Sequence, residues 1–243
     1  MLNIILIAVA ALVVAVILVK LVEKLPKLKP FLIIVLWVLI GFFGYQTYMS
    51  IYEPIQFNKI KNERYLQVIE SLKDIRDSQL AHKQVTGKFA GKFDDLIKFI
   101  DTAQFTITQR RDSSIIDKEM TKRYGVDTYK DIVIIDTLGF VPVKDSLFKG
   151  QDTYKNMMNV PVGKPGAKFE MQAGFIMQNK LNIPVFEAKV KKDVILYDQN
   201  KDLLVQENQV VSVDGVNGDA LKVGSMEEVN TTGNWPKTYG ANE

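Results

Sequence analysis

The chain has no cysteine and only one histidine, His82. The first absence removes disulfides, thiolate nucleophiles and zinc–thiolate centres together. The second leaves any His–Ser–Asp arrangement, or any histidine-ligated metal, a single residue to draw on. His82 lies between Ala81 and Lys83 at the polar end of a predicted helix, where an ordinary surface side chain is expected. An excess of one charge is also missing. The net charge is +3, and a short link carrying Lys20, Lys24, Lys27 and Lys29 against Glu23 supplies all of it. Of 31 basic and 28 acidic residues in the chain, 27 of each remain for residues 51–243. So balanced a domain offers no basic face for nucleic acid, which is not expected as a partner.

Charge is absent altogether from two stretches, Leu2 to Val19 and Phe31 to Tyr45, the second continuing in softer form to Met49. Ion and proton paths need ionisable groups inside the bilayer, so these stretches do not describe a transporter or proton channel. A helix of about 20 mostly apolar residues crosses the hydrocarbon core. The fold class expected is therefore a membrane protein with two N-terminal transmembrane α-helices forming a hairpin, followed by an extramembrane α+β domain. The first run is apolar on every face, which favours lipid over a soluble core. It has no basic n-region and is longer than a signal-peptide core, so an anchor is expected in place of a cleaved leader. The basic turn, residues 20–30, is expected in the cytoplasm. That places the N-terminus and residues 51–243 outside it, on the periplasmic side of a bacterial inner membrane. Tyr45, Tyr48 and Tyr52 stand where an interfacial aromatic belt would lie. Gly41 and Gly44 give the second span a close-packing spot, at a spacing that is not GxxxG.

Beyond this hairpin (residues 1–50) the pattern predicts a helical neck over 51–104, a β-rich domain over 105–224 and a polar tail over 225–243. Pro54 marks a break or kink. From Ile55 to about Val85, Tyr65, Val68, Ile69, Leu72 and Ile75 recur at helical spacing on one face, and Arg76 falls near that stripe. The stripe must be buried, either against the chain's own C-terminal domain or against the same helix in neighbouring copies. Gly87 is placed as a left-handed cap, and a second short helix runs from Phe93 to about Ala103. The passage from Asp74 through Gly87 to Phe89, followed by Phe93-Asp-Asp-Leu96, resembles the helix–Gly–aromatic–helix passage of type IV pilin-like proteins. That resemblance implies one N-terminal hydrophobic helix behind a processed leader, with an acidic residue near its start. Two apolar runs, the first uncharged, depart from that pattern.

Strands are expected at Phe105–Gln109, Asp131–Asp136, Lys168–Met177, Val185–Val190, Asp193–Tyr197 and Leu203–Glu207, mainly antiparallel. Phe140–Val143 reads as an edge because of Pro142. Asp117–Tyr124 reads as a helical turn stopped by Gly125, and Asp198–Asp202 as a hairpin. A last strand and turn are expected around Gly215 and Gly218, then a loose tail anchored by Trp235.

No motif carries chemistry. Gly87-Lys-Phe-Ala-Gly-Lys92 lacks the spacing and the hydroxyl residue of a phosphate loop, and it follows a helix. Asp198-Gln-Asn200-Lys-Asp202 begins like a calcium loop but has Leu203 where glycine is needed and Gln209 where a bidentate glutamate is needed. Asp94 and Asp95 suit a helix N-terminus. No catalytic, cofactor or metal residues are expected. The packing residues expected to matter are Gly41, Gly44 and the stripe. The function expected is a membrane-anchored structural or accessory subunit of a cell-envelope complex for secretion, envelope-spanning transport or motility. Its partners are the lipid bilayer and other membrane proteins or copies of itself. A membrane-tethered module binding a ligand, glycan or peptide is the alternative, and a membrane-tethered enzyme the third reading.

Overall fold

The computed structural model describes residues 19–20 and 29–240. The first expected span, apart from Val19, and most of the link lie outside the described residues. The chain divides into two compact units, Met1–Asn58 and Lys59–Glu243.

Helix α1, Lys29–Thr86, is 58 residues long and passes through Pro54 without ending, where a break or a kink was expected. A proline removes one hydrogen bond of the ladder, at a cost of about 3 kcal/mol, and a long helix with intact bonds on both sides can absorb it. In the first unit, Trp37, Val38 and Phe43 are among many large apolar residues that are exposed. Among the described residues this helix alone is long and apolar enough to cross a membrane, and none of its apolar window is buried. A Cβ built at Gly41 or Gly44 meets nothing within 4 Å. The rings of Tyr48 and Tyr52, one helical turn apart, stack at 5.4 Å.

In the second unit the rest of α1 buries its stripe. Tyr65, Val68, Ile69, Leu72 and Ile75 are all at most 1% exposed. Helix α1 stops where Gly87 takes φ 79°, with its N–H bonded to the Lys83 carbonyl. Helix α2, Phe93–Thr102, buries Leu96, Phe99 and Ile100 and places Asp94 and Asp95 in its first turn.

Next comes a hairpin. Strand β1, Gln104–Ile116, pairs antiparallel with β2, Tyr129–Pro142. Both outrun the short strands expected, because the polar run Arg110-Arg-Asp-Ser-Ser114 carries no alternating signal and β2 supplies the apolar side chains alone. The connection holds helix α3, Lys118–Tyr124, capped by the Asp117 carboxylate and ended by Gly125 at φ 72°. Phe140–Pro142 belongs to β2 itself, and Pro142 falls at its last pair, opposite Gln104, where a missing N–H costs least. Helix α4, Val143–Phe148, follows.

A separate antiparallel sheet has the order β3-β4-β5: Glu170–Gln178, Leu181–Lys191 and Ala220–Gly224. Phe186, Ala188 and Val190 face inward from β4, with the Phe186 ring 4.6 Å from that of Phe89. Two expected strands are helices instead. Asp193–Tyr197 falls largely in α5, Lys192–Ile195, and Leu203–Glu207 in α6, Lys201–Asn208. The intervening segment is no hairpin. The Asn200 side chain accepts from the N–H groups of Asp202 and Leu203, which starts a helix where a β-turn was expected. Five apolar or mixed residues in a row do not distinguish the two periods, and the cap decides between them.

The segment after β5 is not loose through residue 240. Gly224 N–H reaches the Thr232 carbonyl, Asn234 N–H reaches the Lys222 carbonyl, and Trp235 is 2% exposed. This return covers the outer edge of β5.

Candidate functional site

Three places in the second unit carry polar or apolar groups whose arrangement calls for an explanation. The first is a buried ionic cluster. Lys192, the first residue of α5, is fully buried, and its ammonium donates to the carbonyls of Glu207 at 2.7 Å and Val216 at 2.8 Å. It also pairs with the Glu207 carboxylate at 3.2 Å. That carboxylate in turn takes Lys61 at 2.9 Å and the Tyr65 hydroxyl at 3.3 Å. Burial pulls the Lys192 ammonium below its ordinary range, against the opposing pull of Glu207. Burial also pushes the Tyr65 phenol up, helped by the same carboxylate. A low-pKa lysine can serve as a nucleophile or base, but here all three N–H donors are engaged within the fold. The cluster joins α1, α5, α6 and the loop before β5.

The second is an open cleft of about 450 Å³ beside β4 and β5. Glu187 lies in its wall between Lys189 at 3.0 Å and Lys222 at 3.6 Å, with Gln172, Asn217 and Asn234 nearby. Its lining is polar and its charges are largely matched.

The third is the β1–β2 hairpin. Its sheet has two strands only. Along β2 the run Ile132-Val-Ile-Ile135 is apolar on both faces, the signature of a strand covered above and below. Yet Val133 is 44% and Ile135 65% exposed, and Leu138 and Phe140 are as open. On the opposite face Ile132 and Ile134 are only partly covered. Across the strands Arg111 reaches diagonally to Asp136 at 3.1 Å on that second face. Near the far end Ile115, Ile116, Tyr124, Val126 and Tyr129 are exposed as well. A two-stranded hairpin is marginally stable alone, and an exposed apolar strand with a free edge invites pairing. Among the described residues, no other segment hydrogen-bonds to the backbone of residues 130–141.

The sequence-predicted positions fall as follows. The five stripe residues meet the chain's own domain and are closed to a neighbouring copy. Gly41 and Gly44 lie open in the first unit. His82 is not on the surface. It is 8% exposed, its Nδ1 donates to the Lys88 carbonyl at 2.6 Å, and its ring stands edge-on to Phe99 at 4.8 Å. Lys88 lies just beyond Gly87, so the reversal at that glycine brings the carbonyl back onto the helix. Arg76, at the rim of the stripe, is buried and pairs with Asp77 at 2.9 Å. Asp198 accepts from the two terminal guanidinium nitrogens of Arg64, at 2.6 and 2.8 Å, and Asn200 is engaged as a cap. Neither is arranged as a calcium ligand. Among the described residues no three His, Asp or Glu side chains are grouped to hold a metal ion. The hairpin surface was missed in the sequence, although the unbroken apolar run 132–135 was the available signal. In comparisons with known proteins, no family model, no curated protein and no solved structure matches this chain.

Proposed function

We propose that the protein is a membrane-anchored structural or accessory subunit of a cell-envelope complex. On this reading the extramembrane unit acts through protein–protein contacts and catalyses nothing. The observation that carries the reading is the β1–β2 hairpin, with apolar side chains open on one face and only partly covered on the other, and with both long edges unpaired among the described residues. The apolar first half of α1 supports a bilayer as the other partner. The finer placement belongs to the same proposal: two spans, the basic turn in the cytoplasm, the α+β unit on the periplasmic side of a bacterial inner membrane, and a role in secretion, envelope-spanning transport or motility. It rests on the lysine-rich link.

The test is purification of the full chain from its native source in mild detergent, with mass spectrometry of what accompanies it. A stable assembly well above one chain plus its micelle is expected. The double substitution Val133→Lys and Ile135→Glu, at exposed positions, should shift the chain's own stability by no more than about 0.5 kcal/mol and should release the partners. Full function as a lone chain, or unchanged partners in the double variant, would overturn the reading.

A second reading, a membrane-tethered module for a small polar ligand, glycan or peptide, draws on the polar cleft beside β4 and β5. Substitution of Asn217 and Asn234 that abolished function while leaving the assembly intact would favour it.

A further inference from the structure

We infer that the partner of the hairpin is a second copy of this chain, joined edge to edge along β2 in one register centred on Val133. The inference rests on the proposal that the hairpin is a contact surface, and it specifies the occupant.

Two identical antiparallel strands in one sheet are related by a two-fold axis perpendicular to that sheet. The axis keeps each side chain on its own face, so the residue at the centre meets its own copy. Every other residue meets the one equally far from the centre on the opposite side. The charged residues of β2 near its apolar run are Lys130, Asp131 and Asp136. Lys130 and Asp136 are equidistant from Val133. In the Val133 register, therefore, Lys130 of each copy faces Asp136 of the other, twice over. The same register sets Ile132 against Ile134 and Asp131 against Ile135, each twice, and Val133 against itself.

No other centre within β2 matches unlike charges. Lys130 and Asp131 are an odd number of residues apart, so the symmetry forbids them from facing one another. Centres at Lys130, Asp131 or Asp136 set like charges against each other. Centres at Ile132, Ile134 or Ile135 leave all these charges opposite apolar or neutral residues. Opposed unlike charges and apolar pairs across adjacent strands are each worth about 0.2–1 kcal/mol, and like charges cost a similar amount, so the register is specified by side chains. Asp136 already accepts from Arg111 through Oδ2 and keeps Oδ1.

The other free edge is a poorer candidate. In β1 the register that sets Arg110 against Asp112 is centred on Arg111, which places two arginines face to face at the axis. A β1–β2 contact between copies is not self-closing and would propagate as an open sheet. The fold also treats its edges differently. The outer edge of β5 is covered by residues 232–234, whereas among the described residues β2 has no covering segment, and it carries no charge within 132–135.

The chain's lack of cysteine makes the test direct. The Val133→Cys variant of the full chain is placed in membranes and mildly oxidised. Strands paired at this register bring its two copies of residue 133 to a Cα separation of about 4.5–5.5 Å, inside the range a disulfide spans. The Ile132→Cys variant is the control. Its two copies lie about 8 Å apart, offset by two residues along the strands, beyond what a disulfide bridges without backbone movement. A disulfide-linked dimer is expected from Val133→Cys and at least about tenfold less of it from Ile132→Cys. Adding Asp136→Lys should abolish the dimer, and adding Lys130→Asp to that variant should restore it. This rescue separates the register from a general loss of folding. Equal yields from the two cysteine variants, or no rescue by the exchanged pair, would overturn the register. Cross-linking of Val133→Cys to a different protein would overturn the second copy as partner while leaving the hairpin as a contact surface. No cross-link of any kind, together with unchanged native assembly in the Val133→Lys, Ile135→Glu variant, would overturn both.

Discussion

Lys192 and Glu207 form an ion pair at 3.2 Å in which neither charge is open to water, the lysine being fully buried and the glutamate nearly so. Fifteen positions separate them in sequence, and each belongs to a short helix that was expected as a strand. Taking two charges out of water costs more than their attraction returns unless the remaining hydrogen bonds are made. Here two main-chain carbonyls complete the ammonium's shell, and Lys61 with Tyr65 completes the carboxylate's. The pair thus ties α5 and α6 to the loop before β5, and through Lys61 and Tyr65 to α1.

Lys192→Met removes the donor for the carbonyls of Glu207 and Val216 and leaves both without it in a dry site. Each such loss costs about 1–3 kcal/mol, so a destabilisation of about 2–4 kcal/mol is expected. Chemical denaturation of the purified chain in detergent measures it as a lowered midpoint with little change in slope. Removing the Glu207 carboxylate in the same chain should add less than its effect alone, since each substitution strands part of the other's shell.

Asp198 sits below the usual carboxylate range because the Arg64 guanidinium hydrogen-bonds its charged form. An acid whose folded pKa is depressed contributes stability that is present above its unfolded value, near 3.9, and is lost as the pH falls through the folded one. Asp198→Asn should therefore lower stability at neutral pH and matter less and less below about pH 4. The Asp198 side chain is 39% exposed, so solvent screening limits the neutral-pH cost to about 1 kcal/mol at most. Thermal melts of the two chains across that range should converge at the acid end.

The proposed orientation makes a labelling prediction. A cysteine introduced by Lys29→Cys, in the basic link, should be shielded from a membrane-impermeant thiol reagent in intact cells. One introduced by Val229→Cys, on an exposed stretch after β5, should react once the reagent reaches the outer face of the membrane. The reverse pattern would move the α+β unit to the cytoplasm.

Much of the second unit was legible one residue at a time. Helix α1 declared its buried face because five apolar residues recur at 3.6-residue spacing, and the structure buries all five. Gly87 and Gly125 declared helix ends because an L side chain rarely takes φ above zero. Strand β4 declared its inner face through the alternation of Phe186, Ala188 and Val190. These are local properties, set by backbone sterics and by the period at which apolar groups repeat.

Tertiary structure decided what local pattern leaves degenerate. Asp193–Tyr197 and Leu203–Glu207 are too short for their apolar spacing to separate a strand from a helix. Asn200 closing onto two backbone N–H groups, and Lys192 finding carbonyls at Glu207 and Val216, settled them as helices. His82 went inside because the turn after Gly87 carries the Lys88 carbonyl back to its ring. The run Ile132–Ile135 shows the converse. Its composition on both faces marks a strand that needs covering, and that was written in the sequence. That among the described residues β2 is bordered by β1 alone, with its other edge unpaired, was decided only by long-range packing. Hydrophobicity specifies that a surface must be buried, and only long-range packing specifies whether the chain itself can do the burying.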